Sequence, residues 1–576
     1  MQTSYRDALS QPEFDALTIQ LRSSGAKDMT QQAAQLLETA VRQVLVTSVE
    51  GWQINPVPGM SAYFDLIPPP EQPISVKQGF DLKNELKKNE SLLYVDALFE
   101  TNLDNLPEET LLDEALTEAG EILEDLTTPL GNLTVTERNP LWNHEIVNSP
   151  AAWALSRGQG VLIGHPDSGY IPHVELDQHR VRQDLEANLY DSTPGAVNSA
   201  DRGGNHGLGT ATVLMSGKAQ QSEAHFVTGI APEAVLVPMR ITQKGAPIFF
   251  TRSGPRRVRN AILHAIDIGC HVISMSLGGL PEKSLHEAIQ EAVRRNIIVC
   301  AAAGNVVQLV VWPARYKEVI AVAACTAERK RWIHSSRGPT VDVTAPGHNV
   351  WRACIDQSGN ETSLPGSGTS YATPHVAGIA ALWLAKHGRD NLLQKYSRVP
   401  LSLVFREVLK AACDPPPEGD RRNFGAGIVN ALRTLTTPLP DEDDLLAQFL
   451  DVPFDGTLAE GDVNEKDSFS DLFDTLPRTE VRQRLVALLE IPEVELEARL
   501  KDLNTDELTF FLVTNPDLRE FFTGDECFAA KLTEGTDSEG ATIESAVPAV
   551  KQTLHEILLD APLSDELRTQ LTTVDE

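Results

Sequence analysis

A serine lies where a glycine-rich loop meets a helix of small residues, in the stretch GSGTSYATPHVAG (residues 366–378). The N–H groups of a first helical turn have no partner within the helix, so they point outward as donors. Ser370 would therefore present its hydroxyl at the mouth of a helix, where its own N–H can bind a developing oxyanion. Gly366 and Gly368 leave room for a substrate backbone. Taken alone, Ser370 is equally an ordinary N-cap serine.

Three further residues supply what a nucleophilic serine needs, namely a base and a carboxylate that orients the base. Asp167 ends the apolar run of VLIGHPDSGY, and His206 lies between glycines in GGNHGLGTATVLMSG. Asn305 ends another apolar run, AAAGN, and its amide can donate a second hydrogen bond to an oxyanion. Together with Ser370, these residue types predict acyl transfer through a serine nucleophile.

The elements that must position these side chains alternate along residues 141–436. Continuously apolar runs bounded by glycine or charge indicate buried strands: GVLIGH, AVLVPMRI, HVISMSLGG, IIVCAAAGN and EVIAVAACT. Helical patterns such as RVRNAILHAIDIG and SLHEAIQEAVRRN lie between them. This alternation predicts an α/β fold with a parallel sheet and helices on both of its faces. Functional residues gather at the carboxyl ends of the strands in such sheets.

The order Asp, His, Asn, Ser with these local motifs resembles the subtilisin-like serine peptidases (subtilases). GTSYATPHVAG resembles the serine box of that family, DSG its aspartate box and AAAGN its oxyanion asparagine box. Connecting segments follow in the family's order: VTGIAPEAVLVPMRI, AIDIGCHVISMSLGG, PARYKEVIAVAA, SSRGP and APG. NSPAAWALSRGQG and GAGIVNALRTL resemble the beginning and the end of its catalytic domain. The resemblance covers residues 141–436, roughly half of the chain.

The resemblance implies a serine endopeptidase with a subtilisin-like fold and a polypeptide substrate. Asp167 would fix the tautomer of His206, and His206 would take the Ser370 proton and return it to the leaving amine. The N–H of Ser370 and the amide of Asn305 would hold the oxyanion. No cofactor is expected.

A second segment resembles the edge on which the family pairs its substrate as an added β-strand. It consists of Ser276, Leu277, Gly278 and Gly279, with Gly368 as a further substrate contact. An ordinary strand end is the alternative interpretation of that segment. The run VVQLVVWPARY after Asn305 has no acidic residue, which favours an uncharged side chain just before the scissile bond.

Two departures from the family pattern flank the triad. His165 and Pro166 precede Asp167 where the family has apolar residues, and Leu208 stands where the family commonly has threonine or serine. His165 could be a second base or a local structural variant. Neither departure replaces a triad member, so we expect an active enzyme.

The regions on either side of the catalytic domain are acidic. Residues 1–140 carry 23 acidic and 9 basic side chains (−14), residues 441–576 carry 34 and 10 (−24), and residues 141–440 carry 24 and 30 (+6), giving −32 for the chain. Such flanks argue against nucleic acid or an anionic membrane as the main partner. A basic protein partner for the C-terminal region and plain solubility remain alternatives.

The flanks also differ in their sequence patterns. Residues 1–100 predict a small α+β domain, in which the helix DLKNELKKN and the strand LLYVDALFE resemble the inhibitory prodomains of subtilases. A permanent targeting domain is the alternative. Residues 101–140 form an acidic linker or helix, and residues 437–576 predict an acidic all-helical C-terminal domain. The catalytic domain between them would thus be a zymogen, or otherwise regulated by its flanks.

The composition bears on the compartment and on metals. No apolar run is long enough to span a bilayer, and MQTSYRDALSQPEF lacks the regions of a secretory signal, so we expect a cytoplasmic protein. The six cysteines have no metal-ligand or disulfide spacing and read as core thiols. Five of the six acidic residues between Asp167 and His206 also lack the spacing of a calcium loop, and solvated acids are expected at these positions: Asp177, Asp184, Glu186, Asp191 and Asp201.

Two other function classes are compatible with parts of the pattern. A catalytically quiet subtilase scaffold could act as a peptide-binding adaptor, although such scaffolds usually lose a triad member. A lipase or esterase could use the same triad on another fold. Its chain order would be Ser, Asp, His with a G-x-S-x-G motif, which this sequence does not follow.

Overall fold

A computed structural model describes most of the chain: residues 13–22, 29–45, 47, 49–100, 130–191, 193–198, 205–217, 227–242, 254–305, 310–356, 358–449 and 558–572, with shorter stretches between 484 and 518. The chain divides into two compact units. One unit joins residues 1–103 with residues 463–576, and the other spans residues 104–462. The tract 101–129, Asp201, Cys527 and much of the predicted helical tail lie outside the described residues.

The N-terminal part has the order βαββαβ. Its elements are β1 (Glu13–Leu21), α1 (Met29–Val44), β2 (Gln53–Pro56), β3 (Tyr63–Ile67), α2 (Val76–Lys87) and β4 (Leu92–Glu100). The sheet order is β2-β3-β1-β4, with every neighbouring pair antiparallel. This is the split βαβ arrangement, in which two helices cover an antiparallel sheet. Helix α2 begins at a capping box, because the side chains of Ser75 and Gln78 each accept from the other's backbone N–H.

The second unit is built on a seven-stranded sheet in which every neighbouring pair is parallel. Its strands are β5 (Leu162–Asp167), β6 (Ala187–Asn188), β7 (Val235–Arg240), β8 (Val272–Met275), β9 (Ile298–Ala302), β10 (Ile320–Cys325) and β11 (Val343–Pro346). In the sheet order β11-β10-β9-β8-β5-β7-β6, strands β6 and β7 lie on one side of β5, and the later strands β8 to β11 lie on its other side. Ligand crevices form at the carboxyl ends of strands at such a switch point. The parallel α/β fold predicted from the sequence is confirmed.

Helices surround this sheet and an antiparallel hairpin leads into the longest of them. The helices are α3 (Trp142–Val147), α4 (Ser149–Ala152), α5 (Asn205–Met215), α6 (Pro255–Asp267), α7 (Lys283–Arg294), α8 (Thr369–His387), α9 (Arg389–Lys395), α10 (Leu401–Ala412), α11 (Arg421–Phe424), α12 (Ala431–Thr436) and α13 (Glu442–Phe449). The hairpin pairs β12 (Val350–Ile355) with β13 (Glu361–Gly366) directly before α8. Among the described helices, none is long and apolar enough to cross a membrane.

Helix α8 passes through the core and packs along strands β8 to β11. A glycine is needed at position 378 because the side chain of Ile230 comes close. A Cβ placed on Gly378 would lie only 2.6 Å from Cβ of Ile230, so a larger residue would push the two segments apart. The small residues of the serine box therefore let α8 pack closely against the segment that carries Ile230.

Two described helices of the C-terminal region belong to the first unit, α14 (Thr505–Thr514) and α15 (Asp565–Thr572). The division made on the sequence treats residues 1–100 and 437–576 as separate domains. Residues 463–576 lie in one compact unit with the N-terminal part, and aromatic side chains of α14 pack on α2 and β4 there. Helix α13, by contrast, lies in the second unit.

Candidate active site

Asp167 and His206 meet at the carboxyl end of β5. Asp167 is the last residue of that strand and His206 is the second residue of α5. The Asp167 Oδ1 and His206 Nδ1 atoms lie 2.7 Å apart, and Oδ1 also accepts the N–H of Ser168 at 2.7 Å. Burial raises the pKa of Asp167, but the charge and hydrogen bond of His206 outweigh burial, so the pKa lies below its ordinary value. The carboxylate therefore stays ionised and holds the imidazole by Nδ1, leaving Nε2 as the outer nitrogen.

The close approach of two backbones fixes this pair. The N–H of Gly207, next to His206, donates to the Ser168 hydroxyl at 3.0 Å. A Cβ on Gly207 would lie 1.9 Å from the carbonyl oxygen of Gly169, so only glycine fits there. The loop that follows Asp167 therefore requires a glycine directly after His206.

The second carboxylate oxygen of Asp167 faces a buried polar chain. The Thr210 hydroxyl lies one helical turn after His206, 3.2 Å from Asp167 Oδ2 and 3.1 Å from the carbonyl oxygen of His206, and its single proton can be donated to either acceptor. His165 Nε2 lies 3.0 Å from the same hydroxyl and 3.9 Å from Asp167 Oδ2. His165 is completely buried, and burial lowers its pKa, so the ring is held in its neutral form. His165 is thus a structural neighbour of Asp167 rather than a second base open to substrate.

Ser370 is the second residue of α8 and is 8% exposed. Its hydroxyl donates to the carbonyl of Ser276 at 3.3 Å, and the Ser276 hydroxyl donates to the Ser370 carbonyl at 2.7 Å. Helix α8 packs against α5, and the ring of Tyr371 lies 6.2 Å from the His206 ring, centroid to centroid. The start of α8 thus contacts the Ser276 segment through Ser370 and lies near the His206 ring through Tyr371.

Asn305 lies just beyond β9 and is held by the residue before the serine. Its Oδ1 accepts the backbone N–H of Thr369 at 2.8 Å and the Thr369 hydroxyl at 2.9 Å. Because Oδ1 takes both donors, the amide nitrogen must point the other way. A Cβ on Gly368 would lie 3.3 Å from Asn305 Nδ2, which places that nitrogen beside the turn that leads into Ser370. The amide is thus oriented as a donor toward the mouth of α8.

The segment predicted to pair with substrate follows β8. Gly279 is already paired, since its N–H donates to the Trp312 carbonyl at 2.6 Å in an antiparallel bridge. Val311 packs on the preceding glycine, because a Cβ on Gly278 would lie 2.4 Å from Val311 Cγ2. Leu277 is half-buried beside them. Of the predicted segment, Ser276 contacts Ser370 directly.

Several predicted site residues are thus together: Asp167 with His206, Ser370 with Ser276, and Asn305 with Gly368. The sequence reasoning missed Thr210 and Thr369, whose hydroxyls hold the carboxylate and the amide. A hydroxyl one helical turn after His206 was the available signal for Thr210. Leu208 is fully buried and takes no part in the site.

Three of the acidic residues between Asp167 and His206 have protein partners. Asp184 pairs with Arg182, Asp177 caps a short 3-10 turn, and Asp191 accepts from Asn188 and Thr193. Within the ranges that the structure describes, no group of three or more His, Cys, Asp or Glu side chains is placed to hold a metal ion.

Comparisons with known proteins agree with this geometry. The sequence profile of the subtilase family matches residues 158–427. Thermitase of Thermoactinomyces vulgaris is 35% identical over 42% of this chain and 81% of that protein. Subtilisin BL of Lederbergia lenta is 30% identical over 50% of this chain and 96% of that protein. An intracellular serine protease of Paenibacillus polymyxa is 32% identical over 41% of this chain and 71% of that protein.

The solved structure of fervidolysin from Fervidobacterium pennivorans, a keratinolytic enzyme related to subtilisin, is also similar. It has a TM-score of 0.53 at 20% identity and covers 75% of this chain and 62% of that chain. At that identity the likeness concerns the fold alone. The sequence relatives, matched over most of their own length, show that this chain belongs to the subtilase family and is a subtilisin-like serine peptidase.

Proposed function

We propose that the chain is an endopeptidase that cleaves peptide bonds through Asp167, His206 and Ser370, with Asn305 stabilising the oxyanion. The observation that carries the proposal is the 2.7 Å contact between Asp167 Oδ1 and His206 Nδ1, beside the helix whose second residue is Ser370. Bound through Nδ1, the imidazole can accept a proton at Nε2 as the serine attacks and can return it to the leaving amine.

The hydrogen bonds of Ser370 suggest how substrate starts the reaction. The serine hydroxyl donates to the Ser276 carbonyl at 3.3 Å. A peptide N–H that pairs with that carbonyl would compete for the acceptor, and the serine hydroxyl could then turn to His206. Substrate binding along residues 276–278 would thus activate the nucleophile as well as position the scissile bond. The tetrahedral oxyanion would be held by the N–H of Ser370 and by Asn305 Nδ2.

The remaining parts of the proposal concern substrate, location and control. The buried side chains of Val310, Val311 and Trp312 beside Gly278 and Gly279 favour a peptide with an uncharged residue before the scissile bond. A cytoplasmic location is supported by the relative that is named an intracellular serine protease. The βαββαβ domain ahead of the catalytic unit would restrain activity, as its resemblance to inhibitory prodomains implies.

A digest of a peptide library tests the proposal. The wild-type protein is expected to cleave peptides after uncharged residues, and the Ser370→Ala variant is expected to leave them intact. An intact peptide library with the wild-type protein would favour the alternative of a peptide-binding adaptor, which a binding assay with the same library would detect. The control by the N-terminal part is tested by the chain without residues 1–140, which should be more active; equal activity would refute it.

A further inference from the structure

The first unit contains an aromatic cluster that joins the two ends of the chain. Phe80 on α2 and Phe99 on β4 lie 5.3 and 4.6 Å from the ring of Phe510 on α14, between ring centroids. Phe511 lies 6.1 Å from Phe80. All four rings are buried. Aromatic side chains bury a large area each, so this contact is a hydrophobic core shared by segments more than 400 residues apart.

Beside the aromatic cluster lies a buried polar junction between α2, α14 and α15. Glu507 is fully buried and accepts the backbone N–H and the hydroxyl of Ser564, both at 2.6 Å. The side chain of Asn84 on α2 donates to the Ser564 hydroxyl at 3.3 Å, and its Oδ1 accepts from Asn504 at 3.3 Å. Buried polar groups that are satisfied only across a contact fix its register. The charge of Lys83 on α2 also faces Glu507.

An ion pair network closes the edge of the same contact. Lys77 on α2 lies 2.7 Å from both Asp81 and Asp565, and Asp81 accepts the N–H of Asp565 at 3.0 Å. Asp565 is the first residue of α15, where a carboxylate favours the helix dipole. Apolar, buried polar and charged contacts thus cover one continuous face of the N-terminal part.

The N-terminal part and residues 463–576 are linked to the catalytic unit at two separate places in the chain. The N-terminal part is joined to the catalytic unit once through the tract after β4, while residues 463–576 are joined to the same unit after α13. A cut in the first connection therefore leaves the N-terminal part attached through the second. We propose that residues 463–576 are an intramolecular anchor that retains the N-terminal domain after cleavage between residues 101 and 129, so that this domain is a permanent part of the protein rather than a shed propeptide.

The proposal deepens the regulation suggested above, but it does not require that the cleavage between residues 101 and 129 is made by this protein itself. An anchored N-terminal domain stays with the protein even when it no longer restrains the enzyme. Its restraint of the enzyme is therefore reversible. A shed propeptide would act only once. The test therefore uses the Ser370→Ala protein, so that its outcome is separate from that of the proposed endopeptidase function.

The experiment places a recognition sequence for a site-specific protease within residues 101–129 and a second one within residues 450–462 of the full Ser370→Ala chain. After both cuts, an affinity tag on the C-terminal fragment is used to capture it at 0.15 M NaCl. We expect the N-terminal fragment to be captured with the C-terminal fragment. Loss of the N-terminal fragment in the wash would overturn the proposal.

Variants locate the attachment. Phe510→Ala combined with Phe511→Ala leaves the N-terminal domain itself unchanged and should weaken capture by at least about thirty-fold, as expected when central aromatic anchors are removed. Glu507→Lys, which opposes Lys83 with a second buried ammonium, should have the same effect. Leu93→Ala, a change at an exposed side chain of β4, is the matched control and should retain the fragment. Undiminished capture by both the double phenylalanine variant and Glu507→Lys would place the attachment elsewhere and refute the anchor.

Discussion

Replacing Thr210 by valine tests whether the hydroxyl behind Asp167 is part of the catalytic machinery. Valine has nearly the shape of threonine but cannot hydrogen-bond to Asp167 Oδ2 or to His165 Nε2. Thr210 is fully buried, so no water replaces the lost partner. The change therefore leaves one carboxylate oxygen and one imidazole nitrogen short of a hydrogen bond, without opening a cavity.

The expected magnitude follows from the kind of bond that is lost. A hydrogen bond to a charged group contributes about 1.5–3 kcal/mol, and a buried group left without its partner costs about 1–3 kcal/mol. At 3.2 Å the bond to Asp167 is long, so we take the lower end of that range for catalysis. A loss of about 1.5 kcal/mol corresponds to a roughly tenfold lower kcat. KM should barely change, because Thr210 lies behind Asp167, away from the substrate.

Steady-state kinetics on one cleaved peptide, together with urea unfolding in the Ser370→Ala background, measure both effects. Thr210→Ser keeps the hydroxyl and is the matched control, expected to retain a kcat within a few-fold of wild type. The reasoning is refuted if Thr210→Val and Thr210→Ser have the same kcat. It is also refuted if Thr210→Val raises KM while leaving kcat unchanged.

Three further changes have expected outcomes. Asn305→Ala should lower kcat by about 10²–10³ with little change in KM, and an unchanged kcat would remove the amide from the oxyanion site. Gly207→Ala should destabilise the protein and abolish activity, because the alanine Cβ would lie 1.9 Å from a backbone oxygen. Thermal unfolding and peptide cleavage measure both effects, and a fully active variant would contradict the fold at this loop. Burial raises the pKa of Glu507 from 4.5 to about 7. The protonated side chain therefore contributes to the free energy of unfolding fully below pH 4.5, and this contribution is lost as the pH rises to about 7. The loss is about 3 kcal/mol at most. Glu507→Gln should flatten that slope in thermal unfolding of the Ser370→Ala protein, and an unchanged slope would contradict the assignment.

Much of the catalytic fold could be predicted because its strands are buried on both faces. Such strands appear as continuous apolar runs, and β5 and β7 to β10 correspond to the runs identified in the sequence. Strand β11 was missed, since it has only four residues and ends in proline. The hairpin β12–β13 was missed as well, because Arg352 interrupts the apolar run of β12, and β13 mixes polar residues with a proline.

The site could be predicted in its reacting groups but not in their supports. Asp167, His206, Asn305 and Ser370 stand at strand ends or helix starts within recognisable motifs. Thr210 and Thr369 are hydroxyl residues in helices, where most hydroxyls bond their own backbone. Their role depends on which face of a helix meets which loop, and that is known only once the elements are packed.

The joining of the chain ends could not be predicted at all. The pattern TDELTFFLV indicates an amphipathic helix and says nothing about its partner. The complementary face on α2 and β4 consists of Phe80 and Phe99, which the sequence presents as the core of a small domain. Only the structure places these aromatic residues against Phe510.

Covalent labelling of the nucleophile tests the central claim most directly. A fluorophosphonate reacts with a serine that is activated by a neighbouring histidine, so mass spectrometry of the digested adduct should place the label on Ser370 alone. The His206→Ala variant should lose the label. A label on another residue, or equal labelling of Ser370 with and without His206, would contradict the account.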